Sequence, residues 1–129
     1  MKKSKKVNVI YVRSRGESTE DIVTSLETQE KTCKDYLPKI GITDNIIVLK
    51  EIQTKSKSSG GYDSLKSLIK SGCVNTVTLS TLDRISNKRS EVFEFIGLAV
   101  ENRVEIKLSK LKCDEPILHS LINNIIDLC

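Results

Sequence analysis

No apolar run in the sequence approaches the roughly 20 residues that a bilayer-spanning helix needs, and the opening MKKSKKVNVIYV has too short an apolar segment for a signal peptide. Those absences predict an intracellular protein with no membrane partner. The four cysteines, Cys33, Cys73, Cys113 and Cys129, include no CxxC pair and have no neighbouring histidine. That spacing argues against a zinc site and, inside a cell, against a disulfide framework. They read as small core hydrophobes, with Cys129 expected at the surface. The single histidine, His119, has no second histidine to work with, and a structural or surface role is expected of it. Neither a P-loop nor a G-x-G-x-x-G segment occurs, so the common glycine-rich phosphate cradles are excluded.

What remains is an ordinary globular composition. With 129 residues, 38% hydrophobic and 29% charged, the chain is long enough for one domain with a real core and too apolar for disorder. The formal net charge of +4 is local, because Lys2, Lys3, Lys5 and Lys6 account for the whole excess. Residues 1–6 are therefore a basic arm, suited either to contact phosphates or to stay solvated.

Periodicity divides the rest into alternating strands and helices. Residues 7–12 are apolar on both faces, as a central parallel strand should be. Residues 14–23 are polar, carry Gly16 and lack periodicity, which predicts a long loop. Thr24-Ser25-Leu26-Glu27 has the form of a capping box, and Leu26, Cys33 and Leu37 share a face, so a first helix is expected over about 25–38, ended by Pro38 and Gly41. Residues 45–52 read as a second strand, 54–61 as a glycine- and hydroxyl-rich loop, and 62–70 as a short helix stopped by Gly72. A third strand buries Val77 and Leu79, and beyond it Val92, Phe93, Ile96, Ala99 and Val100 mark a helix of about fourteen residues. Residues 104–108 supply the fourth strand. This β-α-β-α-β-α-β order predicts a three-layer α/β fold, a mainly parallel central sheet with flanking helices. A last helix, begun near Pro116, carries Leu118, Leu121, Ile122 and Ile125 on an apolar face suited to the sheet or to a second subunit.

Residues 76–87, TVTLSTLDRISN, are the stretch around which the chain is organised. They run from the third strand into a charged turn at Asp83-Arg84, and the carboxyl ends of strands are where open α/β sheets bind ligands. The first strand ends similarly, in Arg13-Ser14-Arg15. If those two strands are parallel neighbours, Arg13, Arg15 and Arg84 gather at one edge and form an anion site, to which guanidinium brings bidentate geometry.

Tyr11-Val12-Arg13, then Ser25-Leu26-Glu27-Thr28-Gln29, a glycine-containing loop before a short helix, and Leu82-Asp83-Arg84-Ile85-Ser86 after a strand occur together in one order and spacing. In these blocks, and over about residues 7–128, the chain resembles the catalytic domain of the serine site-specific recombinases, the resolvase and invertase family. The resemblance implies a resolvase-like fold and a phosphoryl transfer that uses no metal or other cofactor. In that family a serine just after the first strand attacks a DNA phosphodiester, and arginines stabilise the charge that develops. Carried onto this sequence, Arg13 and Arg84 hold phosphate, Asp83 orients the arginines and the turn, and Gln29 supports the site from the first helix. DNA is then the expected partner, with a second copy or another recombinase beside it, and the location is cytoplasmic or nucleoid-associated.

Three positions depart from the family pattern. Arg15 stands where the nucleophilic serine is expected, Asn87 where a second arginine follows the Asp-Arg pair, and Tyr62 where the loop should bring another arginine. Ser14 and Ser18 are the nearest substitutes for the nucleophile, but alternation turns Ser14 away from Arg13 and Arg15 unless the strand ends by Arg13. Arg15 adds positive charge for phosphate binding while removing the attacking group. The expectation is an impaired or inactive recombinase-like catalytic domain, residues 1–129 as a single domain. Residues 115–129 begin an oligomerisation helix, and no DNA-binding domain is recognisable. Two other readings remain open at this point: a non-catalytic recombinase-like regulator or oligomerisation module, and an α/β module for a nucleotide or small anion.

Overall fold

The computed structural model describes residues 6–15, 19–53, 60–86 and 88–110. Most of the basic arm, the loop residues 54–59, Ser18, Asn87, Cys113, His119, Cys129 and the helix expected over 115–129 lie outside the described residues. Four strands form one sheet in the order β2-β1-β3-β4, and every pairing is parallel. These are β1 (Val7–Arg15), β2 (Ile46–Gln53), β3 (Val74–Leu79) and β4 (Glu105–Leu108). The chain moves one way from β1 to β2 and the other way from β3 to β4, so the order reverses between the carboxyl ends of β1 and β3.

Alternation along β1 builds two cores. Val9 and Tyr11 point to one face, where they meet Leu65 and Ile69 of α2 (Gly61–Lys70) and Phe95, Ile96 and Ala99 of α3 (Arg89–Glu101). Ile10 and Val12 point to the other and meet Ile22, Leu26 and Cys33 of α1 (Thr19–Tyr36) and Leu37 just beyond it. The result is the expected three-layer arrangement, a parallel sheet with helices on both faces. Among the described residues no helix is long and apolar enough to cross a membrane.

The first helix begins six residues earlier than its capping signal suggests, at Thr19. Ile22 and Leu26 are one turn apart and both buried, and Glu20 and Asp21 in the first turn favour the positive end of the helix. Thr24 already lies inside the helix, since its carbonyl accepts the Thr28 hydroxyl at 2.9 Å. The capping box is thus a mid-helix coincidence, and of the segment expected as a loop over 14–23, residues 14–15 belong to β1 and 19–23 to α1. At the far end the expectation is met closely. A short 3-10 turn over Leu37–Ile40 follows, and Gly41 closes it in the left-handed region at φ 84°, its N–H directed at the carbonyls of Leu37 and Pro38.

Candidate active site

The carboxyl edge of β1 and β3 is assembled from three elements. β1 continues through Arg15, which sits opposite Gln53 in the register, while Arg13 sits opposite Glu51. After β3 the chain turns through a single 3-10 turn, Leu82–Arg84. Leu82 and Ile85 anchor the turn in the core, and the Thr81 hydroxyl bonds to the Asp83 carboxylate across it. The Ser86 hydroxyl then accepts the Lys88 N–H at 3.0 Å and donates to Glu91 at 3.1 Å, tying the turn to the start of α3.

Arg13 links these pieces. Its side chain is on the face of α2 and α3, and the residue is only 6% exposed. Its Nε and Nη2 both donate to Oε1 of Gln53, at 3.2 and 2.7 Å, and Nη1 donates to the backbone carbonyl of Asp83 at 3.3 Å. The Asp83 carboxylate is engaged by Thr81 instead. Asp83 therefore orients the turn through its side chain and Arg13 through its carbonyl. Arg84 follows directly, with its Nε buried and without a hydrogen-bond partner among the described residues. No carboxylate among those residues pairs with either guanidinium.

Gln29 serves the same residue from behind. Its Oε1 accepts the Arg13 N–H at 3.0 Å and its Nε2 donates to the Arg13 carbonyl at 2.8 Å and to Ser25 Oγ at 3.0 Å. A carboxamide here acts as a short extra strand on β1, satisfying backbone groups that burial would otherwise leave unpaired. Gln29 is 3% exposed and both ends of its carboxamide are committed to protein. Ser14 is 4% exposed and lies on the α1 face, because the strand does not end at Arg13. The structure thus brings Arg13, Asp83 and Arg84 together, puts Gln29 under the Arg13 backbone, and sets Ser14 on the opposite side of the strand.

Beside Arg13 is a buried polar layer that sequence reading left unassigned. Glu51 is 1% exposed and accepts the Tyr62 N–H in the first turn of α2 at 3.0 Å. The approach depends on Gly61: a Cβ there would collide with the Lys50 carbonyl oxygen and press on the Glu51 Cα. Tyr62 packs against Tyr11 with ring centroids 6.4 Å apart, and Lys66 covers the Tyr62 ring at 4.7 Å. Burial, followed by the carboxylates of Glu94, Glu91 and Asp63, pushes the Tyr62 phenol up to about 12. Burial and then Glu51 raise Tyr11 further. Tyr62, at the position where an arginine is expected, thus supplies no cation; its ring fills space between α2 and the sheet. Gln53 and Glu51 carried a faint signal at most, as polar residues at the end of an otherwise apolar strand.

Comparison with known proteins agrees with this geometry. A family profile described as Resolvase, N terminal domain, matches residues 8–129. No match was found among curated protein sequences. The fold is similar to the N-terminal catalytic domain of TP901-1 integrase, with TM-score 0.68 and 15% identity over 95% of this chain and 96% of that one. It is also similar to a resolvase family site-specific recombinase from Streptococcus pneumoniae, with TM-score 0.65 and 19% identity over 95% of this chain and 87% of the other. The C-terminal catalytic domain of ISC1926 TnpA, an IS607-like serine recombinase, matches with TM-score 0.64 and 18% identity over 95% and 80% of the two chains. With the profile spanning nearly the whole chain and the Arg13 and Asp83-Arg84 turn at the expected strand ends, the protein belongs to the resolvase N-terminal domain family and is a resolvase-like serine recombinase catalytic domain.

Proposed function

We propose that the carboxyl edge of β1 and β3 binds a phosphodiester of DNA through Arg13 and Arg84, and that strand cleavage at this site is impaired. The observation that carries the binding half is the state of the two guanidinium groups. Among the described residues Arg13 is buried and held by neutral acceptors only, and Arg84 keeps a buried Nε without a partner. Buried positive charge without a carboxylate is costly unless an anion completes it. A phosphodiester has the charge and the acceptor geometry to do so.

The impairment half rests on Arg15 and Asn87, which replace the serine and arginine of the family pattern. Ser14 is an unfavourable substitute, being on the opposite face from Arg13. Arg15 adds to the attraction for phosphate without offering an attacking hydroxyl. A domain that binds DNA without cutting it suits a regulator that assembles with a second copy or with an active recombinase.

The test is a search for covalent attachment to fragmented DNA from the source, run beside an active serine recombinase. No protease-sensitive, denaturation-resistant band is expected, while noncovalent DNA binding persists and falls roughly tenfold or more in Arg13→Ala and in Arg84→Ala. A band that vanishes in Ser14→Ala or Ser18→Ala would establish an active enzyme with a displaced nucleophile and overturn the impairment. Binding of inorganic phosphate with no binding of DNA would favour a small-anion module instead.

A further inference from the structure

We infer that Gln53, the last residue of β2, is the positioning residue for Arg13, one that orients the buried guanidinium toward the anion site without neutralising it. The inference rests on the anion-binding reading of this edge. The Nε and Nη2 groups form the edge of a guanidinium that ordinarily grips two oxygens of a carboxylate or phosphate. Here both converge on one neutral oxygen, Gln53 Oε1, at 3.2 and 2.7 Å. The third contact, from Nη1 to the Asp83 carbonyl, is longer at 3.3 Å. Three of the five N–H donors are thereby fixed, and the other two have no partner among the described residues.

The choice of a carboxamide is what carries the argument. A glutamate at residue 53 would satisfy the same geometry with a full negative charge, and the ion pair would cancel the field that attracts a phosphodiester. An apolar residue would leave Arg13 free to turn, so that ordering it would fall to the ligand. Glutamine alone of these options holds the fork in place and keeps its charge. The register supports the same role from the backbone: Gln53 sits opposite Arg15, two residues beyond the Arg13–Glu51 pair, so its side chain shares the face of Arg13 and reaches back along the strand. Glu51, the nearer acid on that strand, is directed to the Tyr62 N–H.

The role predicts that stability and binding respond in opposite orders. In Gln53→Glu the Arg13 contact survives as an ion pair, so the melting temperature stays at or above wild type, while affinity for a short duplex DNA falls on the order of tenfold. In Gln53→Ala the melting temperature drops and affinity falls by only a few fold, since the charge remains but is no longer aimed. A purely structural glutamine predicts the reverse for binding, with the near-isosteric glutamate closer to wild type than alanine. That ranking would overturn the inference.

A readout independent of ligand separates this inference from the reading beneath it. The Nε–H resonance of Arg13 in a nitrogen-edited NMR spectrum should be protected in wild type and in Gln53→Glu and lost in Gln53→Ala. If it is unchanged in Gln53→Ala, Gln53 does not position Arg13. If it behaves as expected but wild type and Arg84→Ala bind the duplex equally weakly, the contact is real and the anion reading of the site fails.

Discussion

Gln29 commits both ends of its carboxamide to the backbone of Arg13, and the consequences belong to single hydrogen bonds. Gln29→Ala leaves the Arg13 N–H and carbonyl without these partners. The expected loss is about 1–3 kcal/mol, read as a lower denaturation midpoint in urea with an unchanged slope. The tyrosine pair behaves differently, because its hydroxyls are buried without hydrogen-bond partners among the described residues. Tyr62→Phe removes a polar atom that gains nothing from burial, so stability at neutral pH should hold or rise slightly. The sign at high pH follows from the phenol's shift to about 12 from an ordinary 10.0. A group whose folded pKa is raised contributes its full stability below the unfolded value and loses it as pH climbs toward the folded one. The protein should therefore weaken between about pH 10 and 12, and Tyr62→Phe should blunt that loss in alkaline melting curves; Tyr11 acts in the same direction.

Among the elements, the placement of α2 is the most demanding. Its first residue, Gly61, lies against the backbone of β2 so closely that any side chain meets the Lys50 carbonyl. Gly61→Ala must therefore shift the helix or the strand, with an expected cost of about 1–3 kcal/mol in chemical denaturation. Because the same contact directs the Tyr62 N–H to Glu51, that substitution should also disturb the Tyr11–Tyr62 packing, visible as a change in near-ultraviolet circular dichroism. α1 shows how an element can be misjudged from its first turn. Its early residues are mostly polar, and the burial of Ile22 against β1 adds a tertiary contact to the favourable acidic first turn. A local capping signal at Thr24 competes with that tertiary contact and loses.

For the molecule as a whole, the parallel order β2-β1-β3-β4 places two arginines that are 71 positions apart in sequence at one edge. Electrostatic binding at such an edge is salt-dependent: the logarithm of affinity for DNA should fall linearly with the logarithm of salt concentration, and Arg84→Ala should reduce the slope by about one ion. Two separate apolar cores, one under α1 and one under α2 and α3, hold β1 from both sides, so the edge rests on a strand packed on both faces at its centre. That packing fixes the backbone from which the buried Arg13 side chain projects.

The succession of strands and helices was legible in the chain because apolar periodicity is a local property: β1, β2, α2, α3 and β4 follow it to within a few residues. The Asp83-Arg84 turn and Arg13 were legible for a related reason, since charged residues directly after apolar strands fall where a parallel sheet exposes its carboxyl ends. Which strand lies beside which is a nonlocal fact, and much of the site hangs on it. Gln53 reaches Arg13 only because β2 pairs with β1, and the Asp83 carbonyl reaches it only because β3 does so on the other side. Sequence by itself determined the family, the layers and the charged residues at the edge. Tertiary structure decided that Arg13 is fixed by neutral partners, that Gln29 acts on backbone, and that Ser14 lies across the strand, because those outcomes depend on register and burial that no local pattern encodes.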